Sequence, residues 1–196
     1  QNSTDFAISE IPYQGVDEQG MADTSNGRSF AYVPIVAGGT AFTYQLKVGG
    51  KLVRNLRLSG DTIARIFTNQ ITNWNDPVIA AVNPGLALPD LRITVVHRSD
   101  GSGTTFNWVN YLSKVSEDWR AKVGEGTSVR WPVGVGGKGN EGVAAYTKQI
   151  KGAIGYVELI YAVSNKLAYA KVKNAAGSFV VPSLASATAA AASAKF

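Results

Sequence analysis

The sequence predicts an α/β fold, a mixed β-sheet with helices on both faces, and three observations carry that expectation. Short apolar runs rich in β-branched residues, such as Ile93-Thr94-Val95-Val96, have the length and composition of buried strands. Between such runs lie stretches whose apolar residues recur at helical spacing, as Trp108, Leu112, Val115 and Trp119 do. The joins are rich in glycine and in the small polar residues that cap helices. With 196 residues, 45% apolar and 17% charged, the chain is long and apolar enough to bury a sizeable core.

In chain order, Phe6, Ile8 and Ile11 suggest a short buried strand with Ser9 and Glu10 near its end. Residues 13–29 are polar and read as a loop or short helix. Phe30 to Ala37 reads as a strand, ended by Gly38-Gly39, and Thr40 to Val48 as the next one. Ser59-Gly60-Asp61 starts a helix with Ile63, Ile66 and Phe67 on its buried stripe, and Asp61 complements the positive end of the dipole. Asp76-Pro77 is a cap followed by proline at the first helical position, and Asn83-Pro84-Gly85 ends that helix. The amphipathic stretch from Phe106 to Trp119 reads as one helix. Asn140 is expected to cap another, with Val143, Tyr146 and Ile150 on one face. Ala153 to Tyr156 and Leu167 to Val172 read as strands, and the alanine-rich 183–194 as a helix with little apolar surface to dock.

The stretch with the most chemistry is His97-Arg98-Ser99-Asp100-Gly101-Ser102-Gly103-Thr104-Thr105, at the carboxyl end of the strand through Val96 and the amino end of the following helix. Ligands of open α/β sheets bind at such places. A first helical turn offers unpaired N–H groups and positive potential, and Gly101 and Gly103 let backbone approach a ligand. Ser102 and Thr104 add hydroxyl donors, Arg98 a fork of N–H groups suited to a tetrahedral oxyanion, and Asp100 an acceptor to hold that fork. Two readings fit the spacing equally: an anion site, or a strand-to-helix turn capped by Ser102 with Arg98 and Asp100 as a surface pair.

Other chemistries are weaker. Gly134 to Gly139 fits G-x-G-x-x-G, but Pro132 interrupts the preceding strand and Glu141 puts a carboxylate where a pyrophosphate belongs. His97 is the only histidine, read as a solvated neighbour of Arg98, and no G-x-S-x-G elbow accompanies it. With no cysteine and no carboxylate cluster, no metal site, cofactor or catalytic residue is expected. The net charge of +5 favours anionic partners, but the cations are not in blocks, so nucleic acid is not expected. No apolar run approaches the roughly 18 residues of a membrane span. Three of the four tryptophans are explained by the core, Trp131 least securely.

The run Arg98 to Thr105 resembles the phosphate loop of the phosphate-binding proteins that serve ABC importers. Further landmarks of that family follow in order: Asp5 to Pro12, Ile71 to Asp76, Asn83 to Leu86, Val129 to Gly134, Gly136 to Gly142 and Gly152 to Glu158. The resemblance runs from about residue 2 to about residue 182. It implies a periplasmic-binding-protein-like lobe and a desolvated phosphate held between two hinged lobes. Arg98, Ser102, Gly103 and Thr104 would then donate to phosphate, and Asp100 would orient Arg98. Glu10, one methylene longer than the family's aspartate, would accept the proton of hydrogen phosphate, the contact that excludes sulfate.

The first lobe's own phosphate loops, final strand and carboxyl-terminal helices have no counterpart in this chain. The implied division is residues 1–44 as a remnant of the first lobe and hinge crossing, 45–182 as the second lobe, and 183–196 as an alanine-rich tail. The implied function is non-enzymatic: extracytoplasmic binding of inorganic phosphate for an ABC importer's membrane subunits, by an incomplete chain that a second chain would complete. Any export signal or lipid anchor is expected outside these residues. The alternatives are a signalling or adhesion relative that binds no anion and, more remotely, a phosphatase or other hydrolase.

Overall fold

The computed structural model describes residues 5–17 and 20–194. The arm, residues 5–39, holds a small antiparallel pair, β1 (Gly15–Val16) and β2 (Ala22–Asp23). The two strands expected there do not form. Phe6 and Ile8 are 78% and 77% exposed, and residues 28–39 run without strand partners. Their apolar composition is strand-like, but no strand among the described residues pairs with them. Tyr13, Phe30 and Tyr32 instead pack edge to face, and Tyr32 Oη accepts the Tyr13 N–H at 2.7 Å.

From residue 40 the chain is layered. β3 (Thr40–Tyr44) is followed by a hairpin of β4 (Lys47–Val48) and β5 (Lys51–Leu52), then β6 (Arg57–Leu58). Ser59 caps α1 (Gly60–Phe67) by accepting the Thr62 N–H, and Asp76 caps α2 (Pro77–Ala81) by accepting that of Val78, both as expected. β7 (Thr94–Arg98) runs two residues beyond the expected strand and ends on Arg98 itself. α3 (Gly103–Val115) and α4 (Glu117–Lys122) replace the single helix expected through Trp119. Ser116 is extended, and its hydroxyl accepts the Trp119 N–H, so it closes one helix and caps the next. The interruption turns Val115 outward, 44% exposed, while Trp108, Leu112 and Trp119 remain buried.

β8 (Val135–Gly137) leads into α5 (Gly139–Gln149). Asn140 does not cap α5, which starts one residue earlier and has no side-chain cap. Its buried face is Val143, Ala144 and Thr147, with Tyr146 at 40% exposure. β9 (Ala153–Glu158) and α6 (Leu159–Ser164) follow. The expected strand 167–172 is two, β10 (Ala168–Tyr169) and β11 (Lys171–Lys173), in different sheets. β12 (Phe179–Val180) pairs with β11, and the capped, unburied α7 (Leu184–Ala192) ends the description as expected.

The main sheet has the order β10-β3-β9-β7-β8, with β3 antiparallel to β9 and β10, and β7 parallel to β8 and β9. It is mixed, as the sequence implied. Successive residues face opposite sides, so Phe42, Tyr44, Val95, Ile154 and Tyr156 join one core with α1, α3 and α4. Ala41, Val96, Ala153 and Val157 join the other with α5 and α6. The second core is built mostly from alanine and valine, and the buried aromatics belong to the first. Trp74 is fully buried and donates from Nε1 to the Gly152 carbonyl at 3.0 Å. Residues 40–44, grouped with the arm in the sequence reading, are an interior strand of this sheet.

Candidate anion-binding site

Three parallel strands, β7, β8 and β9, end side by side on Arg98, Gly137 and Glu158. The loop 99–102 carries the chain from Arg98 to the first turn of α3. There the Ser102 hydroxyl accepts the Thr105 N–H at 3.1 Å, and the Ser102 N–H is taken by the Thr127 carbonyl at 2.9 Å. The Gly103 and Thr104 N–H groups have no hydrogen-bond partner among the described residues. A 13-residue helix therefore presents two open N–H groups and its positive end.

Arg98 and Asp100 form a two-point ion pair, Nε to Oδ1 at 2.8 Å and Nη2 to Oδ2 at 2.6 Å. The Arg98 side chain is 11% exposed. Of the five guanidinium N–H donors two are committed to Asp100, leaving the end that faces away from it. Asp100 Oδ1 also accepts the Gly139 N–H at 3.1 Å, so the first turn of α5 is anchored on the same carboxylate. The Arg98 hydrogen bonds, and after them that N–H, hold the Asp100 carboxyl down to about 2. Asp100 in turn holds the Arg98 guanidinium above its ordinary value. This pair is half-buried and doubly bonded, which is more than a loose surface contact.

Glu10 comes from the arm. Its carboxylate lies over the start of α3 so closely that a Cβ at Gly103 would collide with Glu10 Oε2 and Cβ. Thr104 is buried, and its hydroxyl is 3.4 Å from Glu10 Oε2 and 3.5 Å from Glu158 Oε1. The structure thus brings together all six residues singled out in the sequence, Glu10, Arg98, Asp100, Ser102, Gly103 and Thr104. The Ser102 hydroxyl serves as a cap acceptor, and the Thr104 hydroxyl points among carboxylates.

His97 is not solvated as expected. Its ring stacks on Trp131 at 4.7 Å with 13° between planes, and burial pulls its pKa down. Trp131 in turn stacks on Trp108 at 5.8 Å, which explains the fourth tryptophan as packing. In the glycine run 134–139 the Gly139 N–H is already committed to Asp100 Oδ1. The run forms β8 and the start of α5, and a Cβ at Gly137 would meet the Gly142–Val143 backbone at 2.7 Å.

A family model described as a PBP superfamily domain matches residues 1–195. The chain belongs to the PBP superfamily. Among curated relatives, the phosphate-binding protein PstS of Xylella fastidiosa is 64% identical over 139 residues, covering 71% of this chain and 38% of its own. PstS of Pasteurella multocida is 50% identical over 188 residues, covering 95% of this chain and 54% of its own. The chain thus spans about half the length, or less, of these relatives. A putative phosphate ABC transporter substrate-binding protein from Clostridium perfringens, solved with bound phosphate, shares the fold. Its TM-score is 0.56 at 22% identity, over 81% of this chain and 53% of that one.

Within this PBP-superfamily fold, Glu158, Tyr156, Asn140 and Gly139 stand beside the anion loop, where the sequence had not placed them. Tyr156 Oη accepts the Arg98 N–H at 3.1 Å and shares a 2.7 Å hydrogen bond with the Thr105 hydroxyl, fixing both sides of the loop. Asn140 Oδ1 accepts the Glu158 N–H at 3.0 Å. Burial, and after it the Glu10 charge, push the Glu158 carboxyl above its ordinary value. One signal was available: parallel strands end on the same edge, so the last residue of β9 belongs beside the last of β7.

Proposed function

We propose that this chain is the phosphate-loop half of an extracytoplasmic phosphate-binding protein and holds inorganic phosphate at the start of α3 for delivery to an ABC importer. The observation that carries the reading is the Arg98–Asp100 pair locked beside the open N–H groups of Gly103 and Thr104. A fixed guanidinium plus helix N–H groups suits a tetrahedral oxyanion. The names of the curated relatives support phosphate as that anion.

In this reading Arg98 donates from its free end, Gly103 and Thr104 donate from backbone, Ser102 adds a hydroxyl, and Asp100 prevents Arg98 from swinging away. Glu10 accepts the proton of hydrogen phosphate. The arm belongs to a first lobe, and residues 45–182 with β3 form the second, the alanine-rich 183–196 lying beyond. The partners are the importer's membrane subunits and a second chain, or the rest of a longer one, that supplies the opposing donors. The site binds and releases, and no bond-making step is assigned to it. No helix among the described residues is long and apolar enough to cross a membrane.

Each opposing donor that is missing forgoes about 1.5–3 kcal/mol, with 1.4 kcal/mol equal to tenfold in affinity. Titration calorimetry on the 196-residue chain is therefore expected to give a phosphate Kd of roughly millimolar or weaker, with little discrimination against sulfate. A micromolar, sulfate-excluding site would overturn the half-site. Heat with neither anion would favour the signalling or adhesion reading, and turnover of a chromogenic phosphate ester the hydrolase.

A further inference from the structure

We propose that a groove between the β4–β5 hairpin and the turn after α2 docks an acidic, amphipathic peptide segment of a partner protein. The groove has a volume of about 540 Å3. Its floor is apolar, from the part-buried Leu52 and Leu86 and the buried Val53. Its rim carries Lys51, Arg54 and Arg57, all exposed, and no aspartate or glutamate among the described residues lines it.

The charge is uneven along the chain. Residues 24–60 and 159–196 contain no aspartate or glutamate but nine of the 19 Lys and Arg, while the other ten share the rest of the chain with all 14 carboxylates. The ion pairs among the described residues are Arg98–Asp100, Arg120–Glu117 and Lys122–Asp118, none at the groove. Register adds to the crowding. β6 pairs with β11 so that Arg57 stands directly opposite Lys171, two cations on one face of a small sheet. Like charges so placed repel, and an anionic partner would relieve them.

The groove is also pre-shaped. Asn83 accepts the Arg57 N–H at 2.8 Å and donates to the Arg57 carbonyl at 2.9 Å and the Ile79 carbonyl at 2.8 Å, tying the far wall to β6. The Arg57 guanidinium lies 5.4 Å from the Phe179 ring centre, which holds its head in place. An apolar floor inside a cationic rim is complementary to a segment that alternates apolar and acidic side chains. A bilayer surface would engage protruding cations, and these border a recess.

The test is fluorescence anisotropy of the full chain with a labelled peptide alternating Leu and Glu, against the same peptide carrying Gln for Glu. The Glu peptide is expected to bind about tenfold or more tighter and to weaken as salt rises. Lys51→Glu with Arg54→Glu should abolish the preference. Lys114→Glu with Lys148→Glu, an equal charge change on exposed helix positions, should leave it intact. Circular dichroism checks the fold of each variant, and Lys51→Gln with Arg54→Gln gives a milder pair if the reversal unfolds. Equal binding of the two peptides, equal loss in both double variants, or no peptide binding would each overturn the proposal. So would capture by phosphatidylglycerol vesicles with the peptide ignored, which would assign the surface to membranes.

Discussion

In β3 the side chains of Phe42 and Tyr44 are 5% and 1% exposed, whereas in the stretch just before it Tyr32, Val33, Ile35 and Val36 are 58% to 89% exposed. Both stretches are aromatic and β-branched, and both read as strands. The difference lies in what stands opposite. β3 is bonded on both edges, by β9 and β10, and covered on both faces. Residues 28–39 have no strand partner among the described residues, and most of their apolar side chains stay exposed. A cavity of about 1110 Å3, lined by arm residues and by the start of α3, lies beside the contact that Glu10 makes with that helix. Pattern records what a segment is able to bury, and burial itself needs a second layer.

The largest effect should separate these two regions by stability. Trp108 is 2% exposed and packs on Phe42, Phe67, Trp131 and Tyr156. Trp108→Ala is expected to cost about 3–5 kcal/mol in urea denaturation. Phe6→Ala, at a site 78% exposed, is expected to change stability by less than about 0.5 kcal/mol. A comparable loss from Phe6→Ala would mean that the arm is part of the cooperative core.

Within the site, the next contrast is between neighbours on β7. Arg98 is held by Asp100 through Nε and Nη2 with guanidinium N–H groups to spare, and His97 is engaged with Trp131. Arg98→Ala is expected to weaken phosphate binding by about 1.5–3 kcal/mol, read by titration. His97→Ala should lower the unfolding midpoint through lost stacking and leave phosphate affinity within about twofold. Equal effects on affinity would remove Arg98 from its role.

Legibility followed the same division. Features set by neighbours in sequence were readable: the Ser59 and Asp76 caps, the α1 stripe, and the anion loop from strand end to helix start. The Ser116 break was also written locally, as a serine followed by two acidic residues, but the helical spacing of Trp119 masked it. Features set by distant chain were not readable. Asn140 looks like a cap and instead bonds the Glu158 N–H across from β9. The arm's apolar run 30–37 looks like a strand and finds no pair among the described residues. Glu158 was one parallel-sheet inference away, because its place follows from strand order and not from any motif around it.

The smallest expected effect probes where the two regions meet. Glu10 comes from the arm and Glu158 from the sheet, and the Thr104 hydroxyl lies within reach of both. The Glu158 carboxyl is raised first by burial and second by Glu10, with Thr104 acting against them. An acid with a raised folded-state pKa binds its proton more readily folded than unfolded. The stability this gives is present below the unfolded-state value, about 4.3, and is lost as pH rises through the folded-state value. Glu158→Gln has no proton to lose, so it should gain on the parent protein between pH 4 and pH 8, compared by urea midpoints. A parent protein that gains on the variant over that range would overturn the assignment. Glu10→Gln separates the two causes. If the arm stays seated on α3 in solution, removing the Glu10 charge should lower the Glu158 pKa and recover part of the same gain. If the arm lifts away, Glu10→Gln should do nothing, while the burial contribution at Glu158 persists.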